Sequence, residues 1–201
     1  MSVSRETQER LAIFLREFER WNAQTNLSAD TGNTTILERH VADSVQLTDI
    51  VGDTRSWIDI GSGGGFPGLI VAACRPDTIV ELVESNNKKA AFLRQTALAM
   101  RLNVKVHAKR AELVVREHPT PDVVSARAVA SLDRLLGLLE PWLANGTLGV
   151  FPKGRTYEAE LREAQARWSF EVDALVSRTD PEARILLVRD LRPKTVPIVS
   201  S

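Results

Sequence analysis

The sequence predicts an α/β domain: a seven-stranded, mostly parallel sheet with helices on both faces, preceded by an N-terminal helical extension. Three observations carry that reading. From residue 56 onward, short apolar runs alternate with stretches of helical periodicity, the pattern of a parallel sheet covered on both sides. Between the first such run and the next helix lies Asp59-Ile60-Gly61-Ser62-Gly63-Gly64-Gly65-Phe66-Pro67-Gly68, a glycine turn joining a strand to a helix. The last two apolar runs are separated only by a turn, which predicts an antiparallel hairpin closing the sheet.

Taken in order, residues 7–21 carry Leu11, Phe14, Leu15, Phe18 and Trp21 at spacings of three and four, an amphipathic helix. Residues 22–33 are rich in Asn, Thr and Ser and read as a loop. A second helix is expected over 35–51, with Ile36, Leu37, Val41, Val45, Leu47 and Ile50 on its apolar side. Strands are expected at 57–60, 78–83, 104–108, 122–125 and 147–151, with helices at 69–74, 87–100, 131–143 and 157–168. The closing hairpin is expected at 170–176 and 183–189 around Thr179-Asp180-Pro181. The organisation that follows is an extension over 1–52, a domain over 53–192 and a tail over 193–201 that is expected to fray.

Composition bounds the function. The 201 residues suffice for one domain with a full core. A polar, charged start without a signal peptide, no apolar run near membrane-spanning length, and a single cysteine, Cys74, point to a cytoplasmic protein with no membrane partner. No set of metal ligands is apparent, and His107 and His118 read as structural or exposed. Lys+Arg and Asp+Glu balance at 26 each, so nucleic-acid binding would have to rest on a local patch rather than on overall charge. One candidate runs from Lys88 and Lys89 through Arg94, Arg101, Lys105, Lys109 and Arg110 to Arg116, although a solvated helix face is the commoner meaning of such a run.

The glycine turn admits two cofactor readings. Gly63, Gly65 and Gly68 satisfy the dinucleotide pattern of an NAD-dependent oxidoreductase, with Glu84 near the offset of a ribose-binding acid. That pattern, however, starts three residues beyond Ile60, whereas a dinucleotide turn opens where the strand ends. Read from Asp59, the register is acid-x-Gly-x-Gly-x-Gly through Gly61, Gly63 and Gly65, which resembles motif I of the Rossmann-like class I S-adenosylmethionine methyltransferases. A carboxylate at Asp59 could there face the cationic methionine end of the cofactor.

Ligands of open α/β sheets bind beyond the carboxyl ends of the strands. Those ends would deliver Asp59 and the loop from the first strand, Glu84 for the ribose from the second, and Ala111-Glu112 near the adenine after the third. Arg127 would follow the fourth and Lys153 the fifth, both candidates to orient substrate. The Asn/Asp-Pro-Pro-Tyr/Phe motif that amino-group methyltransferases place after strand four is absent, and Cys74 sits in a helix rather than a Pro-Cys turn. An acceptor such as guanine N7, already carrying a lone pair, needs no base, so positioning alone could carry the reaction.

The chain as a whole resembles the bacterial RsmG family (glucose-inhibited division protein B), the 16S ribosomal RNA guanine-N7 methyltransferases. The resemblance spans roughly residues 20–155. It rests on Trp21-Asn22 with Asn26-Leu27-Ser28, Arg39-His40 with Asp43-Ser44, the loop with its Phe66-Pro67-Gly68 continuation, Lys89 with Phe92-Leu93-Arg94, Ser125 with Arg127-Ala128, and Lys153-Gly154. It implies transfer of a methyl group from S-adenosylmethionine to 16S ribosomal RNA, with the small ribosomal subunit as partner and the enzyme acting as a monomer. It also implies cofactor contacts at Gly61, Phe66, Ala111, Glu112 and Arg127, to which the motif register adds Asp59, Ser62, Gly63, Gly65 and Glu84. Candidates for RNA contact are Arg39, His40, Lys88, Lys89 and Lys153; the His40 helix face reads equally as a lid and as a polar seam fixing the extension to the domain. This chain departs from the family pattern in the Ala126 between Ser125 and Arg127, in Ser28 for the usual Thr, and in Glu84 for the usual Asp. A third reading, a non-catalytic RNA-binding protein on the same fold, is opposed by the intact loop.

Overall fold

The computed structural model describes residues 4–27 and 34–194. Two helices come first, α1 (Arg5–Asn22) and α2 (Thr34–Ile50). Ser4 caps α1, its side chain accepting from the Thr7 N–H at 3.1 Å, and Phe14 and Phe18 form the helix's buried stripe. Strands and helices then alternate: β1 (Ser56–Ile60), α3 (Gly68–Cys74), β2 (Ile79–Val83), α4 (Asn87–Ala99), β3 (Val104–His107), α5 (Ala111–Glu117), β4 (Val123–Ala126), α6 (Leu132–Leu143), β5 (Leu148–Lys153) and α7 (Tyr157–Arg167). The chain ends in β6 (Trp168–Val176) and β7 (Arg184–Pro193).

The seven strands form one sheet in the order β3-β2-β1-β4-β5-β7-β6. The first five run parallel, and β7 inserts antiparallel between β5 and β6. Strand order reverses beside β1, so β1 and β4 open a crevice at their carboxyl ends, the topological switch point where such sheets take ligands.

Because successive side chains of a strand point to opposite faces and both faces are covered, the central strands are mostly apolar, with Asp59 and Ser125 as buried exceptions. In β1, Trp57 joins the core beneath α1 to α4, while Ile58 and Ile60 join the core beneath α5 to α7. In the first core Phe14, Phe18 and Phe66 touch one another and Phe18 also touches Phe92, with ring centroids 5.0–6.1 Å apart, so α1 is built into the domain through aromatic packing. The helix α2 is stitched instead to the turn between β6 and β7. Gln46 donates to Ser177 Oγ at 3.2 Å and accepts from the Arg178 N–H at 2.9 Å, and Asp43 accepts from Thr179.

Three elements differ from the sequence reading. The helix α5 was not foreseen, because its seven residues are too short to show periodicity and include two adjacent β-branched residues, Val114 and Val115. Trp168 opens β6 rather than closing α7, its indole N–H donating to Asp133 Oδ1 at 3.0 Å. The last strand continues past Arg189 to Pro193 through Asp190, which has a positive φ of 52°, so Pro193 and Lys194 belong to the fold; the remainder of the expected tail lies outside the described residues, as does the second half of the loop expected at 22–33.

Candidate active site

The loop after β1 is held from below, from the side and from behind. Gly61, Gly63 and Gly65 have φ of +66°, +49° and +86°, a region open to glycine without Cβ strain. Below the loop, Asp59 is fully buried. Its Oδ1 accepts from Ser125 Oγ at 2.7 Å, and that hydroxyl in turn accepts from the Trp57 indole N–H at 2.9 Å. Its Oδ2 accepts from the Gly68 N–H at 3.2 Å, at the start of α3. Burial pushes the Asp59 carboxyl up to about 6, against the opposing pull of those hydrogen bonds and of Arg127. The sequence reading has Asp59 facing a cofactor's methionine end; the structure places its carboxyl beneath the loop. With both oxygens engaged and no exposed surface, this carboxylate shapes the loop rather than the cleft.

From the side, Glu84 fixes the turn: Oε2 accepts from the Gly63 N–H at 3.0 Å and Oε1 from the Asn86 N–H at 2.7 Å. From behind, α1 presses on the loop. A Cβ on Gly64 would lie 2.9 Å from the Phe18 ring, and one on Gly65 3.0 Å from that of Phe14. These two glycines thus permit close approach of a helix as much as of any ligand.

In front of the loop lies a cleft of about 430 Å³, lined by Gly61, Ser62, Gly63, Phe66, His40, Lys89 and Arg127 among others. Phe66 is 6% exposed and is bracketed by two polar groups. The Arg127 guanidinium lies 5.1 Å from its ring centroid and the His40 ring 5.5 Å away. Arg127 also donates to His40 Nδ1 at 3.1 Å. An arginine N–H can only donate, so Nδ1 accepts and the imidazole carries its proton on Nε2. The turn after β4 that sets this geometry contains Ala128 at a φ of 55°, an uncommon conformation for a residue with a Cβ.

A second cavity of about 340 Å³ adjoins the first and shares Arg127 and Ala128 with it; Arg39, Asp43, Lys153, Glu160 and Asp180 also line it. A larger cavity, of about 850 Å³, lies at the opposite, amino-terminal side of the sheet, lined by Thr54, Asp77, Thr78 and Asp122, away from the strand ends where ligands of this architecture bind.

The predicted site residues are thus sorted. The fold brings Gly61, Ser62, Gly63, Phe66, Arg127, His40 and Lys89 to one cleft. Gly65 turns toward α1, and Ala111 and Glu112 open α5 without lining the cleft. Lys153 is not poised as an open substrate hook. Only 10% of its side chain is exposed, and its ammonium donates to Glu160 at 2.7 Å and to the Ala130 carbonyl at 3.0 Å. Arg39 pairs with Asp180 at 2.5 Å. Lys88 is exposed on the first turn of α4. Of the long basic run, Arg94, Lys105 and Lys109 line a separate cavity, where Arg94 donates to the Val106 carbonyl, Lys105 pairs with Glu81 and Lys109 with Glu117. His40 lines the cleft, and its carbonyl accepts from Ser44 Oγ within α2. The reading of His107 and His118 as lacking companions is also corrected, because both converge on Glu81. Ser28 lies outside the described residues.

A seven-stranded sheet of this order, with an acid-supported glycine turn after β1 and a cleft at the switch point, defines a class I methyltransferase fold. The turn opens at Gly61, directly after β1, which is the register that the dinucleotide reading lacks. Solved structures agree with the fold. Cofactor-bound Rv0187 from MTB superposes with a TM-score of 0.63 at 14% identity, covering 90% of each chain. An O-methyltransferase from Bacillus cereus in complex with SAH gives 0.60 at 18%, covering 88% of this chain and 90% of that one. The model of the family described as rRNA small subunit methyltransferase G matches residues 7–184, and the chain belongs to that family. Among similar proteins, the ribosomal RNA small subunit methyltransferase G of Methylorubrum populi is 45% identical over 94% of this chain and 92% of its own length. That of Brucella anthropi is 42% identical over 96% and 92%.

Proposed function

We propose that this protein transfers the methyl group of S-adenosylmethionine to N7 of a guanine in 16S ribosomal RNA, acting as a monomer in the cytoplasm on the RNA within the small subunit. The observation that carries the reading is the pair of adjoining cavities that meet at Arg127, one backed by the glycine loop and the other by β5 and the β6–β7 turn. The first suits the cofactor in size, at about 430 Å³, and in chemistry. At Gly63 only the Gly61 carbonyl, 3.6 Å away, would meet an added Cβ, leaving open backbone for close approach of a ligand. Bound there, S-adenosylmethionine supplies a methyl group on a cationic sulfur.

The chain's residues would divide the work as follows. Gly61, Ser62 and Gly63 present backbone to the cofactor, and Glu84 offers its remaining lone pairs to ribose hydroxyls while holding the turn. Phe66 provides an apolar wall where the sulfonium charge is dissipated. Arg127, fixed by Phe66 and His40, stands between the cavities and orients the acceptor against the methyl group. Guanine N7 attacks with its own lone pair, so no side chain need remove a proton, and catalysis consists of alignment. Lys89 and Arg39, at the mouths of the two cavities, would face RNA phosphate.

The test is transfer of labelled methyl groups to small ribosomal subunits from cells lacking the gene, with the product nucleoside identified by mass spectrometry. Label in 7-methylguanosine, with at least a tenfold loss in Arg127→Ala, is the expected result. Label in any other nucleoside would refute the assignment of N7. Wild-type activity in Arg127→Ala would refute the role given to the residue between the cavities.

A further inference from the structure

We propose that Glu81, His107 and His118 form a binding site for one divalent transition-metal ion, with Zn²⁺ the best match. The three side chains come from β2, the end of β3 and the segment between α5 and β4, and their ligand atoms lie within 4.8 Å of one another. His107 Nε2 is 2.5 Å from Glu81 Oε2, and His118 Nε2 is 3.0 Å from Oε1, so both imidazoles aim the same kind of atom at one carboxylate.

Proton bookkeeping makes this arrangement more than a pair of hydrogen bonds. His118 Nδ1 lies 2.7 Å from the Pro119 carbonyl oxygen, which can only accept, so Nδ1 carries a proton. In the neutral ring Nε2 is then a bare lone pair, and it points at a carboxylate. A divalent cation seated between that nitrogen and the carboxylate would fill the gap. An N–H on the far nitrogen held by a backbone carbonyl is the arrangement that fixes the tautomer and orientation of a metal-bound histidine.

Two imidazoles and one carboxylate suit zinc, whereas magnesium and calcium favour oxygen donors. Zinc–ligand distances of about 2.0–2.2 Å place neighbouring ligands roughly 3.3 Å apart around a tetrahedron, so the carboxylate must withdraw by less than an ångström. The cluster is partly buried, with 13% of the Glu81 and His107 side chains and 19% of His118 exposed. It borders an open cavity of about 680 Å³, which leaves a fourth position for water. Positive neighbours weaken the site. Lys105, 3.4 Å from Oε2 and 66% exposed, must swing into solvent. Arg94 is turned to the Val106 carbonyl and Lys109 to Glu117. Affinity short of that of closed four-ligand zinc sites follows.

The ion would cross-link the edge of the sheet one link from the cleft. The His107 carbonyl accepts from the Glu84 N–H at 3.0 Å, and Glu84 in turn holds Gly63. Its role is therefore structural.

The chain has three histidines, which makes the test clean. Full-length protein stripped with a chelator is titrated with Zn²⁺ against a chromophoric competitor, and with Co²⁺ to record the visible bands of a tetrahedral site. The expected result is one equivalent bound, at least tenfold weaker binding in His118→Gln and in Glu81→Gln, and unchanged binding in His40→Gln. Metal-free melting of each variant checks that it folds; if His118→Gln does not, His107→Gln takes its place. No saturable binding below about 100 micromolar, equal binding in wild type and the cluster variants, or loss only in His40→Gln would each overturn the proposal.

Discussion

Replacing Gly61 with alanine probes the loop where a positive φ and a close neighbour coincide. The residue has a φ of +66°, and an added Cβ would lie 2.6 Å from Val129 Cγ2. The left-handed conformation costs roughly 1–2 kcal/mol for a residue with a Cβ. Overpacking against the stiff, β-branched valine adds roughly 1–3 kcal/mol. The sum is about 2–5 kcal/mol, or a fall in Tm of about 4–20 °C for a chain of this size. The two contributions can be separated. Val129 is 42% exposed, so Val129→Ala alone should cost little, while in the double variant it removes the clash but leaves the φ penalty. A double-mutant cycle by chemical denaturation should show recovery of the steric part only, a coupling of about 1–3 kcal/mol. Affinity for S-adenosylmethionine, measured by calorimetry, should follow the same partial recovery. A Gly61→Ala protein within about 1 kcal/mol of wild type, or a cycle with no coupling, would refute the reasoning.

Other consequences can be measured independently. Because the Asp59 carboxyl is raised to about 6, its ionisation opposes folding: the group favours the folded state fully below its unfolded pKa near 3.8, and that advantage is lost as pH rises to about 6. About 3 kcal/mol is involved, so the stability difference between Asp59→Asn and wild type should change by about that amount between pH 3.5 and 6.5; a constant difference would count against a buried, strained carboxylate. Lys153→Met should cost roughly 1.5–3 kcal/mol by leaving Glu160 without its charged donor, and should impair methyl transfer only through stability, so that activity per folded molecule stays near wild type. Phe18→Ala should cost roughly 3–5 kcal/mol and also weaken S-adenosylmethionine binding, because the ring backs the loop at Gly64; an unchanged Kd would separate the helix from the cleft.

Much of this architecture is legible in the residues because the signals are local. A strand buried on both faces must be apolar, and a loop with glycine at every second position announces its backbone conformation, so β1, the turn and α3 could be placed from the sequence. What could not be read was pairing over distance. Asp59 looks like a ligand group in the sequence; only the fold brings Ser125 and Gly68 to its two oxygens. Lys153 looks available until Glu160 folds back across it. Glu81, His107 and His118 are 26 and 11 residues apart, with none of the short spacings that reveal a ligand set. The left-handed Ala128 gives no sign at all, since alanine is a poor marker for a positive φ. By contrast, a missed helix between β3 and β4 was recoverable, because two parallel neighbours of β2 and β1 require a crossover.

The packing of α1 against the glycine turn also bears on how the protein is made. The chain leaves the ribosome amino end first, and α1 is synthesised well before its partners Phe66 in the turn and Phe92 in α4. Until those arrive, Phe14, Phe18 and Trp21 form an apolar stripe with nothing to cover it, attached to a nascent polypeptide. The helix that backs the loop thus stays uncovered until Phe92 has been made, a stretch of synthesis in which a chaperone would find an apolar stripe to hold.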